Sequence, residues 1–399
     1  MRPTDIAPGG LNPGSRDGVS GRSGTPTGGR APAHDDEQEQ ANVRGHRSGA
    51  RTATTAVALV ALLMGCASEP DDGPAPETDE PAPEDDEPEE SPEPAGVAPL
   101  TGVEIHDEDV AEALGSRPAV TVKIPNDPPA RPHTGLEEAD VVYEQETEGG
   151  VTRFAAVFHS SYPEVVGNVR SARFVDVPLV APYRGVMVYS GARPEVQGRI
   201  DGAGITRVTE GGPGFYRDSA RSSPHNLYTR LPEAAEARDA DRAAPAPWTF
   251  GEEAPAGGQE ITGLVSISVS RSATTGWEYD EDEEVFRRHQ DGAPHQVTGD
   301  GVIGAANVVV LDVPVGGRDS HGAPQYDLDA SGDALLLRDG RAYEVRWEKD
   351  GVTSPLEVVD GADEAVLAPG PTWVVLTYDG AITRVEGIGP DTSGQEDEQ

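Results

Sequence analysis

Hydrophobic positions in this chain fall mostly into short runs of period two, the spacing of a strand with one face turned inward. Residues 119–124 alternate in this way and stop at Pro125, which has no N–H to offer a ladder. Val141–Glu146 and Thr152–Phe158 predict two strands around Gly149-Gly150, a two-residue hairpin signal. Such a turn sets Glu146 opposite Arg153, Thr147 opposite Thr152 and Glu144 opposite Ala155. Residues 171–183 predict a helix disturbed at Pro178, followed by the short buried strand Val186–Tyr189. A second helix is expected over residues 194–201, and residues 209–224, with Gly211-Gly212-Pro213-Gly214, predict a long loop.

Residues 233–258 are rich in Ala, Pro, Gly and acids and predict a link between two halves. From Ile261 onward the pattern is β. Asp339-Gly340 and Asp379-Gly380 each separate two apolar runs, the strongest short-range hairpin signal. Tyr343, Val345 and Trp347 share the inward face of one such run, with Glu344 and Arg346 turned to solvent. The expected fold class is α+β: a mixed α/β N-terminal domain over residues 98–250, then a β-rich domain of hairpins and meander over residues 258–388.

Both ends of the chain lack this patterning. Residues 1–52 are rich in Gly, Pro, Ser and Arg and predict a disordered leader. The twelve apolar or small residues 53–64 are too short for a membrane span, which needs about 20, so residues 53–66 predict a signal-peptide core. Leu63-Met64-Gly65-Cys66 resembles a bacterial lipobox, in which the cysteine is acylated, and Cys66 is the sole cysteine of the chain. A long leader before Arg44 leads us to expect an alternative start at Val43. Residues 67–97 predict a disordered tether; their first 29 positions hold thirteen acids, eight prolines and no Lys or Arg. At about 3.1 Å per residue this tether reaches roughly 90 Å. Residues 389–399 predict a disordered acidic tail. The expected location is the outer face of the cell membrane, extracytoplasmic and lipid-anchored.

Much of the formal charge of −40 belongs to these flanks, but the body is acidic too. That balance argues against nucleic acid, which a basic patch must meet. One cysteine excludes an intrachain disulfide and any multi-cysteine metal site. His289 and His295 have no companion ligands nearby, and the stretch Asp327-x-Asp329-x-Ser331-Gly332 has Arg338 where a calcium loop needs its bidentate Glu. No metal and no cofactor is expected.

The candidate chemistry lies between Asn126 and Tyr228. It includes Ala130-Arg131-Pro132, Gly135-Leu136, Ala139-Asp140, Tyr143-Glu144 and Glu148-Gly149-Gly150-Val151-Thr152-Arg153. Further on come Gly167-Asn168-Val169-Arg170-Ser171-Ala172-Arg173, Asp176, Phe215-Tyr216-Arg217-Asp218 and Ser223-Pro224-His225-Asn226-Leu227-Tyr228. These motifs resemble the YerB-like family of bacterial lipoproteins, both of whose halves are domains of unknown function. The resemblance covers residues 99–377 and thins in the second half to Asn307-Val308-Val309 and Pro369-Gly370-Pro371-Thr372-Trp373. Pro125 stands where the family usually has an acid, and Asn168 where it usually has Pro. The resemblance implies a location and an architecture, and leaves open whether the protein is an enzyme.

Two readings follow from the residues themselves. In an acidic body with only Lys123 and Lys349 as lysines, Arg131, Arg153, Arg170, Arg173 and Arg217, with Asn126, His225 and Asn226, suit a groove for an anionic cell-wall or envelope ligand. That makes the protein an envelope binding or assembly factor. Alternatively, Glu144 or Glu148 serves with His225 in a hydrolase of cell-wall glycan or peptide, which needs a second carboxylate such as Asp140, Asp176 or Asp218 nearby. Ordinary ion pairing of these acids with the arginines is the competing structural role, and a scaffold without a ligand is the third option.

Overall fold

The computed structural model describes residues 93–236, 244–299, 301–378, 380 and 386–388. The leader, the signal core with Cys66, most of the tether, the strand after Asp379-Gly380 and the acidic tail lie outside the described residues. The tether's end is structured, because Gly96–Val97 pairs with Glu104–Ile105.

A large mixed sheet carries the molecule. Its strands are β1 (Val120–Pro125), β2 (Val141–Glu146), β3 (Thr152–Phe158), β4 (Val186–Tyr189) and β5 (Thr206–Thr209) from the first half. The second half contributes β6 (Gln259–Ser268), β7 (Thr274–Asp280), β8 (Val285–Gln290), β9 (Asn307–Asp312), β10 (Ser331–Arg338), β11 (Arg341–Glu348), β12 (Glu357–Asp360) and β13 (Thr372–Thr377). The sheet order is β5-β4-β1-β3-β2-β13-β9-β10-β11-β12. Strand β2 pairs in parallel with β13, Val142 opposite Trp373, so the two halves share one sheet. Strands β1, β4 and β5 are parallel, as are β2, β13 and β9, and β3 runs antiparallel to both β1 and β2. All six parallel strands therefore end at one edge.

Alternation along the strands produces two apolar faces. Val120, Val122, Ile124, Phe154, Ala156, Val308, Val310 and Trp373 face a second layer made by β6, β7 and β8, which supplies Val265, Ile267, Trp277 and Phe286. Val141, Tyr143, Ala155, Val157, Val309, Leu336 and Trp347 face the other way, under Leu179, Tyr183 and Trp248. The latter tryptophan belongs to the stretch expected to be a linker. It is buried and donates its Nε1–H to the carbonyl of Leu356 at 2.9 Å, which pins that stretch to the second half.

The helices are few and short. α1 is Glu108–Ser116, capped by Asp107, whose carboxylate accepts from Asp109 and Val110 N–H. The helix expected over residues 171–183 is only α2, Asp176–Val180, followed by a tight turn over Ala181–Tyr183, with Pro178 and Pro182 limiting its hydrogen bonds. α3, Pro194–Gly202, starts on a proline and matches its expectation. The loop expected over residues 209–224 contains a strand, Phe215–Arg217, paired with Leu227–Thr229. Asp339-Gly340 turns β10 into β11 with positive φ at both residues (51° and 69°), as a two-residue hairpin requires.

The β2–β3 hairpin departs from its expectation by one residue. Residues 147–151 form the connection, closed by Thr147 N–H to the Val151 carbonyl at 2.8 Å, in place of a two-residue turn. Gln145 then faces Arg153, Glu146 faces Thr152 and Glu144 faces Phe154. Because side chains alternate, this slip sends Glu144 to the opposite face of the sheet from Arg153.

Candidate cationic site at the carboxyl edge

Glu144, turned inward, meets the second layer. Arg288 Nη2 donates to both its carboxylate oxygens at 2.9 Å, and Thr152 Oγ1 donates at 3.0 Å. Arg288 is fully buried between the rings of Phe154 (5.2 Å) and Trp373 (4.9 Å). Its Nη1 also meets His295 Nδ1, whose Nε2 lies 2.9 Å from His133 Nδ1, and His133 Nε2 lies 2.7 Å from the Pro125 carbonyl. The terminal acceptor and the terminal guanidinium donor fix both tautomers, so protons point from Arg288 through His295 and His133 to Pro125 with both imidazoles neutral. Burial holds His133 down to about 3 and, with the neighbouring Arg288, holds His295 well below its ordinary value. Asn126 and Gln290 complete the network at 2.9 Å, and Arg131 pairs with Asp291 at 2.7 Å. Sealed from solvent and held by a cation, Glu144 joins the two layers.

Arg153 faces the other way, beside Gln145 and Lys123. Lys123 Nζ contacts Asp176 Oδ1 at 2.5 Å with both side chains fully buried, and Gln145 Nε2 donates to the same oxygen at 2.9 Å. Burial lowers the Lys123 ammonium to about 8 despite Asp176. Arg153 Nη1 donates to the Ser171 carbonyl at 2.9 Å; burial, then the neighbouring Arg173, lowers its guanidinium to about 10. Arg173 grips Glu148 with Nε (2.6 Å) and Nη2 (2.8 Å). Burial alone would raise the Glu148 carboxyl; Arg173 and Arg153 outweigh it and hold the group below its ordinary range. A carboxylate so held is a poor general acid.

These groups stand at the carboxyl edge of the parallel strands. Arg170 is fixed there by its backbone, its N–H donating to the Lys123 carbonyl (2.8 Å) and its carbonyl accepting from Ser190 (3.0 Å), between the ends of β1 and β4. Its half-buried side chain has no partner among the described residues, and it is close enough to Arg153 to repel it. The same edge carries Glu146, held by Arg318 Nη1 at 2.8 Å and by the Tyr378 hydroxyl, and the pair Arg193–Asp319. From β1 the chain runs to β2 on one side and returns as β4 on the other; crevices at such a point, outside the strand ends, are where open α/β sheets bind ligands. Beside this edge opens a cleft of about 980 Å³ whose walls include Phe174, Val177, Arg199, Tyr326, Leu328 and Val352.

Among the residues singled out from sequence, Arg153, Arg170, Arg173 and Glu148 come together. Arg217 does not join them; it is exposed, with Glu210 at 2.6 Å and Asn226 Oδ1 at 2.6 Å. His225 Nε2 lies 3.2 Å from Asp127 Oδ2, and neither Glu144 nor Glu148 is hydrogen-bonded to it. Of the carboxylates offered as a second acid, Asp140 accepts backbone N–H groups of His159 and Ser160, Asp218 that of Ala220, and Asp176 is paired with Lys123. Arg288, His133, Arg318 and Tyr378 carried no local motif; a fully buried arginine is invisible without the fold.

Comparison with known proteins gives this architecture a family. The "Protein of unknown function (DUF3048) N-terminal domain" matches residues 100–244, and the corresponding C-terminal domain matches residues 265–374. The chain belongs to the YerB-like family. A relative named "Putative lipoprotein YerB", from Bacillus subtilis (strain 168), is 29% identical over 318 residues, 73% of this chain and 90% of the relative. The crystal structure of the YerB protein from Bacillus subtilis is similar with a TM-score of 0.63 at 26% identity, over 74% of this chain and 100% of that one. The YerB-like motifs around Arg153, Arg170 and Arg173 thus sit at the carboxyl edge, and the mixed α+β, β-rich fold agrees with the one expected from sequence.

Proposed function

We propose that this protein is a lipid-anchored extracytoplasmic factor that binds an anionic ligand of the cell envelope at its arginine-rich edge. The lipobox-like Leu63-Met64-Gly65-Cys66 and the name of the Bacillus relative support the anchor. No helix among the described residues is long and apolar enough to cross a membrane, which agrees with anchoring by lipid. The observation that carries the ligand reading is Arg170: a guanidinium without a partner among the described residues, beside Arg153 and Arg173, in a body that is otherwise acidic. Planar guanidinium forks hold phosphate or carboxylate through paired hydrogen bonds.

Titration of the full chain with glycerol phosphate and with a muropeptide, followed by calorimetry and mass spectrometry, tests this reading. Binding without new products is expected. Arg170→Gln weakens it about tenfold, the size of one charge-assisted contact, while Arg217→Gln leaves it unchanged. Turnover of the muropeptide that disappears in Glu148→Gln would replace this reading with the hydrolase one.

A further inference from the structure

The second half places its own cations on the same edge. A pocket of about 410 Å³ there is lined by Arg271, Val315, Gly317, Arg318 and Tyr378. Arg271 is exposed, and its side chain has no partner among the described residues. The turn that carries it is docked on the β2–β3 connection, with Ser270 Oγ and Ser272 Oγ both donating to the Gly150 carbonyl, at 2.6 and 3.1 Å. Arg318 grips Glu146 and donates Nη2–H to the Tyr378 hydroxyl at 2.9 Å. Two guanidiniums without partners among the described residues, Arg170 from the first half and Arg271 from the second, therefore belong to clusters built around Glu148 and Glu146. Those two glutamates are two residues apart with extended Thr147 between them, so their Cα atoms stand about 7 Å apart, one strand repeat.

We infer that this edge is a two-subsite groove for a chain carrying repeated phosphate groups, with one phosphate at Arg170, Arg153 and Arg173 and another at Arg271 and Arg318. The inference rests on the anion-binding reading above and extends it to a polymer. Protein carboxylates already occupy Arg173 and Arg318, and a ligand carboxylate brings no acceptor that Glu146 and Glu148 lack. A tetrahedral phosphate presents oxygens in more than one plane, which suits the guanidiniums of Arg271 and Arg318, lining one pocket from separate segments, while the Tyr378 hydroxyl, whose proton goes to Glu146, holds Arg318 in place. Joining two anionic groups makes the second contact intramolecular, so a chain binds far more tightly than its monomer.

Calorimetry on the full chain distinguishes the outcomes, with glycerol phosphate, poly(glycerol phosphate), inorganic polyphosphate and poly-γ-glutamate as probes. One or both phosphate polymers are expected to bind about a hundredfold more tightly than glycerol phosphate, at the low end of such gains. Which polymer is preferred identifies the source of the phosphate. Arg271→Gln removes the polymer's advantage and leaves glycerol phosphate binding unchanged, whereas Arg170→Gln weakens both. Arg184→Gln, which removes the same charge before β4 at the other edge, changes neither. Should the polymer keep its advantage in Arg271→Gln, the second subsite is wrong while the first stands. Equal binding of poly-γ-glutamate overturns the phosphate assignment, and failure of glycerol phosphate and both phosphate polymers to bind overturns this inference and the anion reading together.

Discussion

At the scale of single residues, the buried imidazoles make stability depend on pH. In the unfolded chain a histidine takes up a proton below about pH 6.5. In the folded protein burial keeps His133 neutral to about 3 and, with Arg117 nearby, keeps His159 neutral to about 4. Between those values the unfolded chain binds more protons, so this contribution is complete above about pH 6.5 and is lost as pH falls toward 3. The urea midpoint is therefore expected to drop between pH 7 and pH 4.5, and His133→Gln to reduce the pH slope by up to one proton. An unchanged slope in that variant would show that His133 is not held neutral. None of this was legible in sequence, where His133 lay outside every motif and His295 was only a weak metal candidate.

At the scale of elements, the β2–β3 connection decides which face each carboxylate takes. Gly149 and Gly150 both have positive φ (74° and 77°), yet their surroundings differ. A Cβ on Gly149 would meet open space; one on Gly150 would stand 2.3 Å from Ser272 Oγ, where the Arg271 turn docks. Gly149→Asn is expected to change stability by only a few tenths of a kcal/mol, since Asn tolerates the left-handed region. Gly150→Ala is expected to cost more than about 1 kcal/mol and to loosen the Arg271 turn, measured by urea unfolding and by hydrogen exchange at residues 269–273. Sequence located both strands at their correct bounds and misjudged the turn by one residue. Two adjacent glycines announce a turn without saying how many residues it spans, and the close approach of a distant serine pair appears in no local window.

At the scale of the whole molecule, β2 against β13 and the Glu144–Arg288 pair make the two halves interdependent. The four tryptophans, Trp248, Trp277, Trp347 and Trp373, all lie after residue 244, and Trp373 packs on Phe154, so their fluorescence reports on the second half and its junction with the first, while circular dichroism reports on both halves. Urea unfolding followed by the two signals is expected to give coincident transitions. A separate earlier transition in either signal would show that the halves are independent. Replacing Arg288 alone leaves Glu144 a buried carboxylate without its cation, which is strongly unfavourable.

What the sequence determined alone was its local chemistry: the strand alternation, the Asp339-Gly340 hairpin, the lipobox-like Leu63-Met64-Gly65-Cys66 with the acidic, proline-rich stretch after it, and the surplus of arginine around Arg153 to Arg173. These depend on periods of two and on backbone preferences, which a few neighbouring residues specify. Tertiary structure alone decided that Glu144 is sealed against Arg288, that Arg217 and His225 stand apart from the cluster, and that Arg271 and Arg318 join its edge. Such choices follow from sheet register and from contacts across more than a hundred residues, where a shift of one position exchanges the buried face for the exposed one.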